Sequence, residues 1–186
     1  MQSKSGISLV SPLPLEFRAA IIQEEEFQRA MGDNLILLRA LMVWDEEGTL
    51  RSEEEDRSLV AQLQIKMDLL LTLMSAGIRG LEPLPAIHPC QLSSEFLLFS
   101  MPVAWLPQVE NPCGAIYLHP KVALPLLLPA LRLAPVADQG PSREWRLDFR
   151  LSYVVQEILS RLIFRYHRRQ IARSRENADT LSIDHY

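Results

Sequence analysis

The sequence predicts an α+β chain: a small β module flanked by long N-terminal helices and a C-terminal helix. Three observations point there. Eleven of the thirteen prolines fall between Pro83 and Pro141, where short apolar runs are separated by Pro, Gly, Asn and Ser. The stretch from 15 to 78 holds no proline and is rich in Leu, Met, Ala, Glu, Gln and Arg, which are good helix formers. Residues 152–175 repeat apolar side chains at helical spacing and then turn basic.

Composition limits the options. The chain has 186 residues, 48% of them apolar and 23% charged, with a formal net charge of −4. That is enough apolar matter for a packed core, and the acidic balance lacks the basic excess of a nucleic-acid binder. Two cysteines, Cys90 and Cys113, cannot make a disulfide scaffold. The opening residues carry no signal-peptide pattern and no uncharged apolar run is long enough to span a bilayer, so the expected address is the cytoplasm.

Taken in order, residues 1–14 read as a flexible N-terminus and 15–78 as a helical oligomerisation region. It divides into helices at about 15–44 and 52–76 around the break at Gly48 and Thr49. Ser52 is a suitable N-cap, with Glu55 completing a capping box and the run Glu53 to Asp56 favoured by the helix dipole. Phe27, Met31, Asn34, Leu38 and Leu41 recur at spacings of 4, 3, 4 and 3. Val60, Leu63, Met67, Leu70 and Met74 recur at 3, 4, 3 and 4. This is the a/d pattern of a coiled-coil seam, satisfied equally by a local helical hairpin. The second helix is also apolar off the seam, at Leu59, Ile65, Leu69, Leu71 and Leu73. One partner helix cannot cover such a surface, which favours self-association. Asn34 either sets the register of that seam or faces solvent.

Residues 79–151 are the β module, with strands expected at 86–93, 95–101, 113–119, 126–136 and 143–151. Trp145, Leu147, Phe149 and Leu151 alternate with Glu144, Arg146, Asp148 and Arg150, so one face of that strand is buried and the other wet. Pro129 and Pro135 make 126–136 an edge strand or a bulged one. Five or six such strands suit a small barrel. Residues 152–175 form the closing helix, with Val155, Ile158, Leu162 and Tyr166 inward, and 176–186 a loose tail.

Chemistry is sparse. There is no nucleophile elbow, glycine-rich phosphate loop or metalloprotease helix, and the clustered glutamates sit on solvated helix faces, so no enzymatic role is expected. His88, Cys90, Cys113 and His119 offer zinc-type donors, but their spacing matches no named site, and buried structural cysteines are the expected outcome. No metal is assigned. Arg165, Arg168, Arg169 and Arg173 form the best ligand feature: Arg165, Arg169 and Arg173 share one helix face, and guanidinium groups grip phosphates and stack on purines. The same cations also suit a helix C-terminus or the acidic first block.

The order of these segments resembles the atypical, tetramer-forming PilZ family of bacterial cyclic di-GMP signalling. The resemblance rests on Leu63-Gln-Ile-Lys66-Met-Asp68-Leu-Leu-Leu71, Leu84-Pro85, the Ser93 strand and Gly114 to Pro120. It continues through Pro125-Leu126, Trp145-Arg-Leu-Asp-Phe149 and His167-Arg168-Arg169. It implies a six-stranded barrel with helices that assemble through a coiled coil, and cyclic di-GMP as ligand with no other cofactor. It also implies a homo-oligomeric partner, a tetramer in the family. The family's Arg-x-x-x-Arg loop is absent before the first strand. Its Asp/Asn-x-Ser-x-x-Gly motif aligns with Gln91-Leu-Ser93-Ser-Glu-Phe96, where Ser93 alone matches. The implied function is a non-enzymatic receptor or regulator with a degenerate ligand motif. The alternative is a ligand-free oligomeric scaffold that recruits a protein partner. Neither nucleic acid nor a membrane span is expected.

Overall fold

A computed structural model describes residues 7–46, 62, 63, 66, 67, 70, 84–119, 122, 124–137 and 143–183, with backbone alone at 44–46, 137 and 173–183. Six antiparallel strands close a barrel in the order β1-β2-β3-β6-β5-β4. They are β1 (Leu9–Arg18), β2 (Ile87–Leu92), β3 (Phe96–Met101), β4 (Cys113–Ile116), β5 (Leu126–Ala137) and β6 (Arg143–Phe149). Two helices accompany them, α1 (Glu24–Glu46) and α2 (Tyr153–Ile183), with a 3-10 turn at Val103–Trp105 between β3 and β4.

The N-terminal segment departs from expectation. Residues 9–18 are a strand rather than a flexible leader running into a helix, and the first helix starts at Glu24, not at 15. The reason lies in the alternation of Leu13, Leu15 and Phe17, whose side chains enter the barrel. The prolines are tolerated because of register. The Leu15 N–H donates to the Ala86 carbonyl at 3.2 Å, so the odd-numbered residues of β1 make the ladder to β2. Pro12 and Pro14 fall at positions whose N–H would face away from it.

Pro89 in β2 poses the same problem on its other side. Its missing N–H would face β3, opposite Ser100, since Cys90 pairs with Phe99. His88 Nδ1 lies 3.2 Å from the Ser100 carbonyl oxygen. The buried ring thus supplies the donor the proline lacks, which places its proton on Nδ1. In β5 the expected irregularity takes the form of bulges, with register shifts between Ala130 and Arg132 and between Pro135 and Ala137. The barrel is closed, so β5 is not an edge strand.

Barrel and helices share one core. Leu92, Leu97, Leu126, Leu128 and Leu147 fill the barrel, and Leu37, Leu38, Leu159 and Leu162 join it from α1 and α2. Each such leucine contributes about 1.5–3 kcal/mol. A Cβ at Gly114 would stand 2.8 Å from Leu147 Cδ2, so that buried side chain would have to shift to admit one.

The apolar stripe of α1 is spent inside the protomer. Phe27, Met31, Leu38 and Leu41 are buried in this common core. Asn34, fully buried, neither faces solvent nor sets a seam. Its Nδ2 donates to the Leu127 carbonyl at 2.7 Å and its Oδ1 accepts from the Leu127 N–H at 2.8 Å. Leu127 lies before the β5–β6 ladder begins at Ala130, so the Asn34 amide acts as the missing strand on an open backbone edge. Nearby, the Arg150 guanidinium stacks 3.9 Å above the Phe27 ring and reaches Glu24 at 3.5 Å, fixing the start of α1 against the end of β6.

The second expected helix, 52–76, is helical at each described residue, 62, 63, 66, 67 and 70. Its capping box at Ser52 and Glu55 lies outside the described residues, as do Val60 and Met74. The closing helix continues to Ile183, so most of the expected loose tail is helical.

Candidate functional site

Two groups of side chains were expected to meet a ligand, and they lie at different ends of α2. Ser93 opens the turn between β2 and β3. Its hydroxyl donates to the Phe96 carbonyl at 3.1 Å and accepts from the N–H groups of Glu95 at 3.1 Å and Phe96 at 2.9 Å. A hydroxyl offers one donor and two acceptor sites, so all the capacity of the buried Ser93 hydroxyl goes into holding this turn. Gln91, two residues earlier, donates to the Ser8 hydroxyl at 2.9 Å. Phe96 lies under the Arg146 guanidinium at 4.2 Å, and Arg146 is itself paired with Asp148 at 2.7 Å. Each residue at a motif position therefore has an internal partner.

The arginines are elsewhere. The Ser93 turn is tied to the end of β6, where Phe149 N–H donates to the Glu95 carbonyl at 3.3 Å. From there α2 runs away. Arg165 lies twelve residues beyond Tyr153, about 18 Å along the axis, and Arg169 about 24 Å. The inner face of α2 ends at Tyr166, and 168–172 are exposed. Arg165 donates to the Met42 carbonyl at 3.5 Å, where the last turn of α1 presents its negative dipole end. Arg168 stands 5.8 Å over the Phe164 ring. Arg169 is exposed but engaged, and Arg173 continues the helix. Arg165 and Arg169 share a face as expected, whereas Ser93 does not join them.

The residues expected to join copies of the chain divide as sharply. Against the buried stripe of α1, Leu63, Met67 and Leu70 expose 60%, 60% and 58% of their surface. Their spacing of 4 and 3 puts them on one helix face. Sequence reasoning found this stripe but missed the outward face of β1, because it did not place a strand there.

Neither thiol resembles a reactive centre. Burial pushes Cys90 up to about 12 and Cys113 up to about 11, which holds both as neutral thiols. Near Cys113, Glu16 accepts from Arg18 at 2.7 Å and from the Tyr117 hydroxyl at 3.0 Å. Burial, and then the Glu16 charge, raise the Tyr117 phenol. Among the described residues no three or more His, Cys, Asp or Glu side chains gather to hold a metal ion. No described helix is long and apolar enough to cross a membrane.

Comparison with known proteins agrees with this architecture. No curated protein matches the chain. A solved structure from Xanthomonas campestris is 24% identical with a TM-score of 0.65, over 91% of this chain and 93% of its own. It is described as a new tetrameric PilZ domain self-assembled via an unusual helical bundle. The family described as atypical PilZ domain, cyclic di-GMP receptor, matches residues 38–176. With three quarters of its length matched and the six-stranded barrel in place, the chain belongs to the atypical PilZ domain family.

Proposed function

We propose that the chain is a non-enzymatic receptor or regulator in cyclic di-GMP signalling, acting in the cytoplasm as a homo-oligomer joined by coiled-coil packing through the helical residues Leu63, Met67 and Leu70. One observation carries the assembly: the 60%, 60% and 58% exposure of Leu63, Met67 and Leu70 on a single face. Burying a large apolar side chain is worth about 1.5–3 kcal/mol, so sheltering this stripe stabilises each protomer by roughly 3–5 kcal/mol. The stripe of α1 is already used within the chain, which leaves the second helix to meet its copies. The solved relative that assembles through a helical bundle supports the same reading, and free Cys90 and Cys113 fit a reducing compartment.

On the receptor reading, Arg165, Arg169 and Arg173, with Arg168 beside them, hold the phosphates, and binding biases how helices and barrel dock. The second reading is a scaffold that recruits a protein. It is favoured by the internal use of the Ser93 hydroxyl and by Phe96 under Arg146, where the family motif has glycine. Calorimetry with cyclic di-GMP separates them. Heat in the wild type that disappears in Arg169→Ala and Arg173→Ala supports the receptor. No heat at millimolar ligand supports the scaffold.

A further inference from the structure

We propose that the outer face of β1 and β2, together with the adjoining barrel mouth at Trp105, docks a protein partner that presents an apolar segment flanked by Lys or Arg. This deepens the scaffold reading by naming the recruiting surface and the chemistry of what it recruits.

The register sets the face. Outward residues Val10, Pro12 and Pro14 of β1 stand opposite Gln91, Pro89 and Ile87 of β2, and none carries a charge. Val10 is 57% and Ile87 66% exposed. The connection from β3 to β4 adds to it. Trp105 meets the His88 ring edge-on at 5.8 Å yet remains 60% exposed, and Val103 and Val109 are half-exposed. Through His88, which lies between Ile87 and Pro89 in β2, Trp105 adjoins this face, and exposed apolar side chains gathered in this way mark an interaction surface.

The prolines limit how it can be covered. Pro12 and Pro14 have no N–H on the side of β1 turned away from β2, so β1 is a poor template for an added strand. The occupant must bring apolar side chains, as a helix face does. Charge decides between a copy and a foreign partner. Glu110, next to Val109 in the chain, and Glu144, paired with Ser100 next to the turn, are both exposed. Neither carboxylate has a partner among the described residues, whereas Arg143 is already engaged. A two-fold contact between copies would bring this acidic rim toward its own image. A basic-flanked apolar segment meets it with complementary charge.

The test titrates the full chain with a synthetic amphipathic Leu/Lys helix peptide and its Leu/Glu counterpart, following amide chemical shifts and tryptophan emission. The Leu/Lys peptide is expected to saturate, with shifts in β1, β2 and 103–110. Trp105→Glu, at an exposed site that leaves the core intact, should weaken it about thirtyfold, as loss of an aromatic anchor does. Val10→Glu should weaken it too, and Glu110→Lys with Glu144→Lys by about threefold each. Equal affinity for the Leu/Glu peptide, indifference to Trp105→Glu, or shifts confined to 62–70 would overturn the proposal. So would shifts at 103–110 that appear with protein concentration alone, since a second copy would then be the occupant. Leu63→Glu, which tests the assembly reading, should leave peptide affinity unchanged, so the two ideas can fail separately.

Discussion

Asn34→Ala isolates the contact that seats α1 on the barrel. The change removes two hydrogen bonds, at 2.7 and 2.8 Å, to the carbonyl and N–H of Leu127. It leaves the N–H and carbonyl of the half-buried Leu127 without their partner beside a fully buried position. Each lost bond is worth about 1 kcal/mol net, and each orphaned buried group costs about 1–3 kcal/mol. Partial relaxation brings the expected loss to about 2–4 kcal/mol. At about 2–4 °C per kcal/mol for a chain of this size, the melting temperature should fall by roughly 10 °C. Urea unfolding followed by circular dichroism reads the midpoint, and light scattering reads the mass. A lower midpoint and an unchanged mass are expected. A midpoint within about 0.5 kcal/mol of wild type, with a changed mass, would show that Asn34 acts between subunits and not within one.

Gly114→Ala should cost about 1–3 kcal/mol by overpacking, since the new methyl would meet the fully buried Leu147 side chain at 2.8 Å; thermal melting checks it. His88→Ala should cost a similar amount by orphaning the Ser100 carbonyl, and amide exchange at the β2–β3 ladder should accelerate. Cys90 and Cys113 should resist a thiol-reactive dye at pH 8 and react once the chain is unfolded. Burial raises both from an ordinary 9.0, to about 12 and about 11. Native thiols thus keep their protons where unfolded ones release them. The stability they carry is complete below about pH 8.5 and is lost as pH climbs through 11–12, so the urea midpoint should fall from about pH 9 upward.

What could be read from the sequence follows from what periodicity encodes. Trp145, Leu147 and Phe149 announced β6 because a half-buried strand imposes period two, and all three point into the barrel. β1 carries the same alternation at Leu13, Leu15 and Phe17, but Pro12 and Pro14 disguise it. Only the register shows that their missing donors face away from the ladder to β2. The 4-3-4-3 spacing of α1 showed that a stripe is buried, yet spacing cannot say whether the cover is the same chain or another. Here β5 and α2 supply it, and Asn34 satisfies a β edge that no local pattern reveals. Ser93 illustrates the same limit: a motif match fixes the residue, and the turn around it fixes where its hydrogen bonds go.

Light scattering on the full chain beside Leu63→Glu/Met67→Glu/Leu70→Glu tests the assembly most directly. The wild type should be a multimer at tens of micromolar and the variant a folded protomer with an unchanged far-ultraviolet spectrum. A wild type that stays a single chain at that concentration, or a variant that keeps the multimer's mass, would contradict the account.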